Sequence, residues 1–157
     1  MNLMFRLCYV FILSFFREKL PAGRTRSELC LMTFPNDLDI NMHVNNGRFL
    51  TIFDLNRVDL FLRTGLAKTM LRQKWRPIVA EHTMSYKKPL KLFETFTVVL
   101  ELTDWDEKYF YMTHTFSNSE RLIAEGTSKG LILAKTGPVP PTLVIETVKA
   151  LNEPAAR

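Results

Sequence analysis

Cysteine is scarce in this chain of 157 residues: Cys8 and Cys30 are the only two, too few and too far apart for a zinc or redox motif. They read as reduced, buried thiols of an intracellular protein. Histidine is scarce as well. The three present, His43, His82 and His114, show no ligand spacing, so a metal site is not expected. There is no internal repeat and no low-complexity tract, which leaves one compact domain with 46% hydrophobic residues to build its core. Aromatic and basic residues do not interleave as in nucleic-acid binders, so nucleic acid is not an expected partner. A long apolar run is missing too. Leu3 to Phe16 is almost wholly apolar, but it falls short of the roughly 20 residues a spanning helix needs and is interrupted by Arg6 and Ser14.

The balance of charge is basic, with a net +5 and a pI near 9.4. Such a balance favours anionic partners: membrane surfaces, nucleic acid or phosphate-bearing small molecules. Part of it follows the apolar run, as Arg17, Lys19, Arg24 and Arg26. A cleaved signal peptide carries its charge before the apolar core, not after it. The run therefore reads as a helix packed on the domain or on a partner subunit. The same pattern suits an interfacial membrane contact through residues 1–20, with the basic residues on anionic headgroups.

Periodicity sets out the remainder. Residues 28–34 read as a strand closed by a turn at Pro35-Asn36-Asp37. Phe49, Ile52, Phe53, Leu55, Val58 and Leu62 recur at helical spacing, with Asn45 or Asn46 as the cap and Gly65 as the left-handed stop. Asp54 and Arg57 sit one turn apart on it and suit an ion pair. A short helix over 67–74 follows. Beyond Pro77 the period falls to two: strands are expected over 78–86, 96–103, 110–116 and 122–134, with turns at 104–107 and 118–120. His82 reads as an ordinary strand position, and His114 as a hydrogen-bonded core histidine. Pro138, Pro140 and Pro141 end the last strand before a terminal helix over 142–151. The class is α+β: one long helix on a curved antiparallel sheet of about five strands, with extra helices at both ends. Open sheet edges make a homodimer or homotetramer the expected state.

The densest chemistry lies between Pro35 and Leu50. Two carboxylates (Asp37, Asp39), one imidazole (His43) and four amides (Asn36, Asn41, Asn45, Asn46) fall within a dozen residues, just before the long helix. Helix N-termini present unpaired N–H groups and favour negative charge. A carboxylate beside such an end has what acyl transfer requires, a base or nucleophile together with oxyanion donors. Asp37 reads as the residue that sets the turn.

This segment, with Asp37-Leu38-Asp39, then His43-Val44-Asn45-Asn46, then a hydrophobic helix with an aromatic near its start, resembles the hotdog-fold acyl thioesterases of the 4-hydroxybenzoyl-CoA thioesterase type. Over residues 37–46 it is also similar to the plant acyl-carrier-protein thioesterases. Tyr86-Lys87-Lys88-Pro89-Leu90, entering a long strand, fits a second landmark of the family. The resemblance covers about residues 26–135, and Met42 stands where many bacterial members carry glycine. It implies a hotdog domain over 26–137, between an apolar N-terminal helix and linker (1–25) and a C-terminal helix and tail (138–157). It further implies that Asp39 is the catalytic carboxylate, that the backbone N–H near Asn46 is the oxyanion donor, and that Asn41 and His43 complete the catalytic set. Gly47 permits close backbone approach to a ligand. Phe49 and Phe53 would flank the acyl chain, and Tyr86, Lys87 and Lys88 would contact the substrate, the lysines at coenzyme A phosphates. The implied substrate is acyl-CoA or acyl carrier protein, with coenzyme A as part of the substrate and no separate cofactor. The expected location is the cytoplasm, including the inner membrane surface. Two alternatives stay open: a hotdog hydratase, and a non-catalytic acyl-thioester-binding or membrane-associated hotdog protein.

Overall fold

The computed structural model describes residues 3–119 and 121–152. Glu120, part of an expected turn, lies outside the described residues, as do 1, 2 and 153–157. Along the chain come α1 (Leu3–Phe16), β1 (Thr25–Met32), a 3-10 turn (Pro35–Asp37), α2 (Asn46–Thr64), α3 (Leu66–Gln73), β2 (Arg76–Tyr86), β3 (Thr95–Trp105), β4 (Phe110–Asn118), β5 (Arg121–Ala134), β6 (Gly137–Val139) and α4 (Pro141–Asn152). The sheet is antiparallel, in the order β1-β3-β4-β5-β2. The long helix α2 lies on its inner face, which is the expected hotdog arrangement.

The period of two decides which residues meet α2. Phe96, Val98, Leu100 and Leu102 on β3, and Phe110, Met112, His114 and Phe116 on β4, are all buried. From α2, Phe49, Ile52, Phe53, Leu55 and Leu60 fill the other half of the core. Burial of each such side chain is worth about 1.5–3 kcal/mol. Buried polar groups then fix how α2 sits. Asn56 Nδ2 donates to the Val98 carbonyl (3.0 Å), and Ser27 Oγ lies 2.7 Å from Asn56 Oδ1 and 2.6 Å from Asp59 Oδ2. Asp59 is closed off by Arg63 (3.1 Å) and Arg17 (3.2 Å). Gly65, at φ +81°, ends α2 as a left-handed cap, as its position suggested.

Two expectations need correction, and a third, for Asp37, is met and extended. The sheet has a sixth strand: β6 pairs with β5 through Ile132 and Val139, where the prolines were read as a plain break. Pro138 is tolerated because β6 borders only β5, so its missing N–H has no strand to serve. The two cysteines are free but exposed, Cys8 on α1 and Cys30 on the outward face of β1, whose burial alternates. Asp37 does shape its turn, accepting the Phe34 N–H at 2.8 Å, but it is 1% exposed and its main partner is distant. Arg6 of α1, itself 2% exposed, grips both carboxylate oxygens at 2.9 and 2.6 Å and also donates to the Met32 carbonyl.

That bond turns α1 inside out. Arg6, Val10 and Ser14 point inward. Met4, Phe5, Cys8, Tyr9, Phe11, Ile12, Phe15 and Phe16 face outward, with no charge among them. No helix among the described residues is long and apolar enough to cross a membrane.

Breaking a buried ion pair leaves an uncompensated charge, at a cost of about 3–5 kcal/mol. Asp37→Ala is therefore expected to lower the unfolding free energy by about that much in urea titrations. The double change Arg6→Met with Asp37→Leu, which removes both charges, should cost clearly less. A loss under about 1 kcal/mol for Asp37→Ala would show that the pair does not hold α1 in place.

Candidate active site

The segment from Leu38 to Val44 is a closed loop. Leu38 and Val44 bridge at its neck. The Asp39 N–H donates to the His43 carbonyl (2.9 Å), and the Asp39 carbonyl accepts the Met42 N–H (3.1 Å). Met42 sits at the tip with φ +60°, in the left-handed region. A side chain there costs roughly 1–2 kcal/mol, which explains why glycine suits this position. Asn45 follows as the N-cap of α2. Its backbone N–H is held by the Asp37 carbonyl, and its side-chain oxygen accepts the Gly47 N–H at 2.8 Å. Asp37 therefore ties down both ends of the loop.

Asp39 is half-buried. One of its carboxylate oxygens accepts the Asn41 N–H at 2.8 Å, and among the described residues no cation pairs with it. In the first turn of α2 the Gly47 and Arg48 N–H groups are taken by Asn45. Nothing among the described residues accepts the Asn46 N–H. The Asn46 carbonyl accepts the Tyr86 hydroxyl at 3.0 Å, which pins the end of β2 to the start of α2. Tyr86 in turn meets Phe49 edge-on at 5.3 Å. The structure thus gathers Asp39, Asn41 and His43 in one loop, with Asn46, Gly47, Tyr86 and Phe49 at the helix start.

Other expected site residues lie apart. Phe53 is fully buried against His114 rather than at the helix start. Lys87 is committed to Glu125 at 3.1 Å. Lys88 is exposed, and its backbone N–H is bound to the Ile123 carbonyl. Asp54 and Arg57 form the expected ion pair.

A cavity of about 320 Å³ opens further along α2, between its middle turns and the β2–β5 edge of the sheet. Arg57, Phe61, Ile78, Met112 and Gly130 are among its walls, and Asp39, Asn41, His43 and Asn46 are not. Between the loop and this cavity lie His82 and His114, which the sequence suggests as a strand position able to line a pocket and as a satisfied core histidine. His82 meets His114 at 4.6 Å, and Phe53 stacks on His114 at 3.6 Å. Neither nitrogen of His114, nor Nε2 of His82, nor Oγ of Ser128 has a hydrogen-bond partner among the described residues. The expectation of a satisfied core histidine at 114 is corrected accordingly. Burial, then the neighbouring His82 and Arg57, push the His114 pKa down to about 3; the Thr127 backbone, outside hydrogen-bonding geometry, opposes this. Burial and Arg57 lower His82 in the same way. A legible signal existed: Gly126, Ser128 and Gly130 alternate on β5, so the strand under both imidazoles carries little side chain. No group of three His, Cys, Asp or Glu among the described residues is placed to hold a metal ion.

The profile of the thioesterase-like superfamily matches residues 34–145, which takes in the loop, α2 and the whole sheet except β1. The chain belongs to that superfamily. Among curated relatives of this thioesterase-like chain, Protein THEM6 of Xenopus laevis is 36% identical over 85 residues, which are 54% of this chain and 41% of the relative. The chain thus spans less than half the length of that relative. Among solved structures, the probable thioesterase YbaW from Escherichia coli superposes with a TM-score of 0.72 at 17% identity, covering 81% of this chain and 99% of the other. SAV2348 from Staphylococcus aureus, solved in complex with CoA, gives a TM-score of 0.70 at 17% identity, covering 86% of this chain and 90% of that one. At such identities these likenesses establish the shared hotdog fold.

Proposed function

We propose that this protein hydrolyses acyl thioesters, taking acyl-CoA or acyl carrier protein and water to a free carboxylate and a thiol. One observation carries the reading: Asp39, a carboxylate with no cation on it among the described residues, stands in the loop that leads into a helix whose first N–H, at Asn46, none of those residues accepts. Asp39 attacks the thioester carbonyl or draws a proton from the water that does. The Asn46 N–H stabilises the oxyanion as it forms. One such donor is worth about 3–4 kcal/mol in the transition state. Asn41 and His43, on the same loop, orient the water or the carboxylate. Gly47 leaves the approach to the helix end open, and Phe49 and Tyr86 flank the acyl group. Lys88, exposed and without an ion pair among the described residues, is the lysine for coenzyme A phosphates in place of Lys87. Coenzyme A is part of the substrate.

A panel of short, long and aromatic acyl-CoA thioesters, followed by release of free thiol, tests this. Asp39→Ala is expected to lose at least about 100-fold in rate while keeping the wild-type melting curve. Equal rates for the two proteins would refute the assignment. Binding of thioesters with no turnover by wild type would replace it with a carrier role.

The working unit proposed is an assembly of at least two copies. β2 pairs with β5 on one side only, and nearly all of its 11 residues are exposed, Ile78, Val79 and Tyr86 among them. An open edge of this length invites another strand. Because Tyr86 ties β2 to Asn46, a second copy paired along β2 would wall in the loop. Light scattering should give at least twice the protomer mass of 18.3 kDa; a monomer at micromolar concentration would count against it.

The uncharged outer face of α1 is proposed to rest on an anionic membrane surface. At 14 residues, about 21 Å long, α1 is suited to lie flat in the interface rather than to cross. The exposed Lys19 follows directly, on a chain with net charge +5. Replacing Phe5, Ile12 and Phe15 together with serine leaves Arg6 and its partner intact. This variant is expected to lose most sedimentation with anionic vesicles. Undiminished sedimentation would end the proposal.

A further inference from the structure

The inner face of α2 carries a single ridge at one-turn intervals: Phe49, Phe53, Arg57 and Phe61. Phe49 is at the helix start beside Tyr86. Phe53 lies against His82 and His114. Arg57 sits over the Phe53 ring at 5.1 Å, and with Phe61 it forms part of the cavity wall. The imidazole pair is thus midway between the candidate oxyanion donor and the apolar cavity, roughly 10 Å along the helix from Asn46.

The strand register explains how the pair meets. Ser128 on β5 is the cross-strand partner of His82 on one side and Met112 on the other, and Gly126 is the partner of His114. The two imidazoles approach from the strands that flank β5, over a residue with no side chain. Met112 and Gly130, the cross-strand and same-face neighbours of Ser128, belong to the cavity wall. Ser128 is 3% exposed and His114 1%. With His82 Nε2 they bring together four buried polar atoms that have no hydrogen-bond partner among the described residues, next to the apolar cavity wall that Met112 and Gly130 help form. A buried polar atom left unpaired is costly, and one that is paired by a ligand becomes a selector.

We propose that His82, His114 and Ser128 form a subsite for an uncharged oxygen, a hydroxyl or keto group, carried at mid-chain on the acyl group of the substrate. The inference rests on the thioesterase reading for the orientation of the chain, with the thioester carbonyl at Asn46 and the apolar end in the cavity. Burial, with Arg57 beside it, lowers the pKa of both imidazoles and so disfavours their charged form; a neutral imidazole offers one donor and one acceptor. That suits an uncharged oxygen rather than a second carboxylate. A site built to hydrogen-bond such an oxygen discriminates strongly against the analogue that lacks it, because its own groups are then left unpaired.

The test uses acyl-CoA thioesters of one chain length: unsubstituted, and hydroxylated next to the carboxyl, at mid-chain or at the far end. Hydrolysis rates are read alongside calorimetric binding of the matching free acids to the full chain. Wild type is expected to favour the mid-chain hydroxyl by at least about tenfold in kcat/KM and in affinity. Ser128→Ala and His114→Phe should each reduce that ratio to within about twofold. A wild-type ratio near one, or a ratio that Ser128→Ala leaves intact while only the melting temperature moves, would overturn the subsite and mark the cluster as structural. If no thioester is turned over, the hydrolase reading fails, and the binding ratios of the free acids still decide the subsite.

Discussion

The Asp37 carboxylate is the constraint on which the rest of the molecule depends. It is buried, held at both oxygens by Arg6 from the start of the chain, and bonded to the Phe34 N–H at the end of the first strand. Its own carbonyl receives the N–H of the helix cap, Asn45. A single residue thus joins the amino-terminal helix, the strand exit and the central helix entry. A carboxylate out of water is sustained only by such full engagement. The engagement in turn fixes where the Asp39 loop stands relative to the open end of α2.

From that point α2 organises everything downstream. Its first turn presents an N–H outward, its ridge of side chains leads past two imidazoles to an apolar cavity, and its other face is locked to the sheet through Asn56 and Asp59. These polar residues lie within a helix otherwise filled with aromatic and aliphatic side chains. They act as register marks: sliding α2 by one turn would leave each of them unpaired in the core. The distance between the loop and the cavity is set by covalent geometry and does not rely on loose packing.

Most of the architecture was legible in the sequence, because periods of 3.6 and 2 are local properties. Gly65 after an apolar helix and the alternation from Phe96 to Phe116 needed no tertiary information. The loop with its capping asparagine was legible for the same reason, since capping is short-range chemistry. What escaped was long-range. Nothing near Arg6 reveals that its partner is Asp37, so the sequence did not show that α1 packs through one face and leaves the other apolar and exposed. The short β6 was hidden because prolines ordinarily argue against strands. His82 and His114 are far apart in the chain and meet only through the register of β2, β4 and β5. The cysteines were misjudged because composition says how often a thiol is buried, not on which side of a strand it lies.

The loop from Asp39 to His43 closes on itself by two backbone bonds, and it joins the body through the Leu38–Val44 neck and a bridge from His43 to Lys91. Folding and the proposed chemistry are therefore assigned to different residues that are neighbours in sequence: position 37 belongs to the scaffold, while positions 40 to 42 belong to the rim. The rim side chains of Ile40 and Asn41 are exposed, so changes there remove little from the core. A lineage, or a designer, can retune what is accepted at the helix mouth without rebuilding the body that holds it.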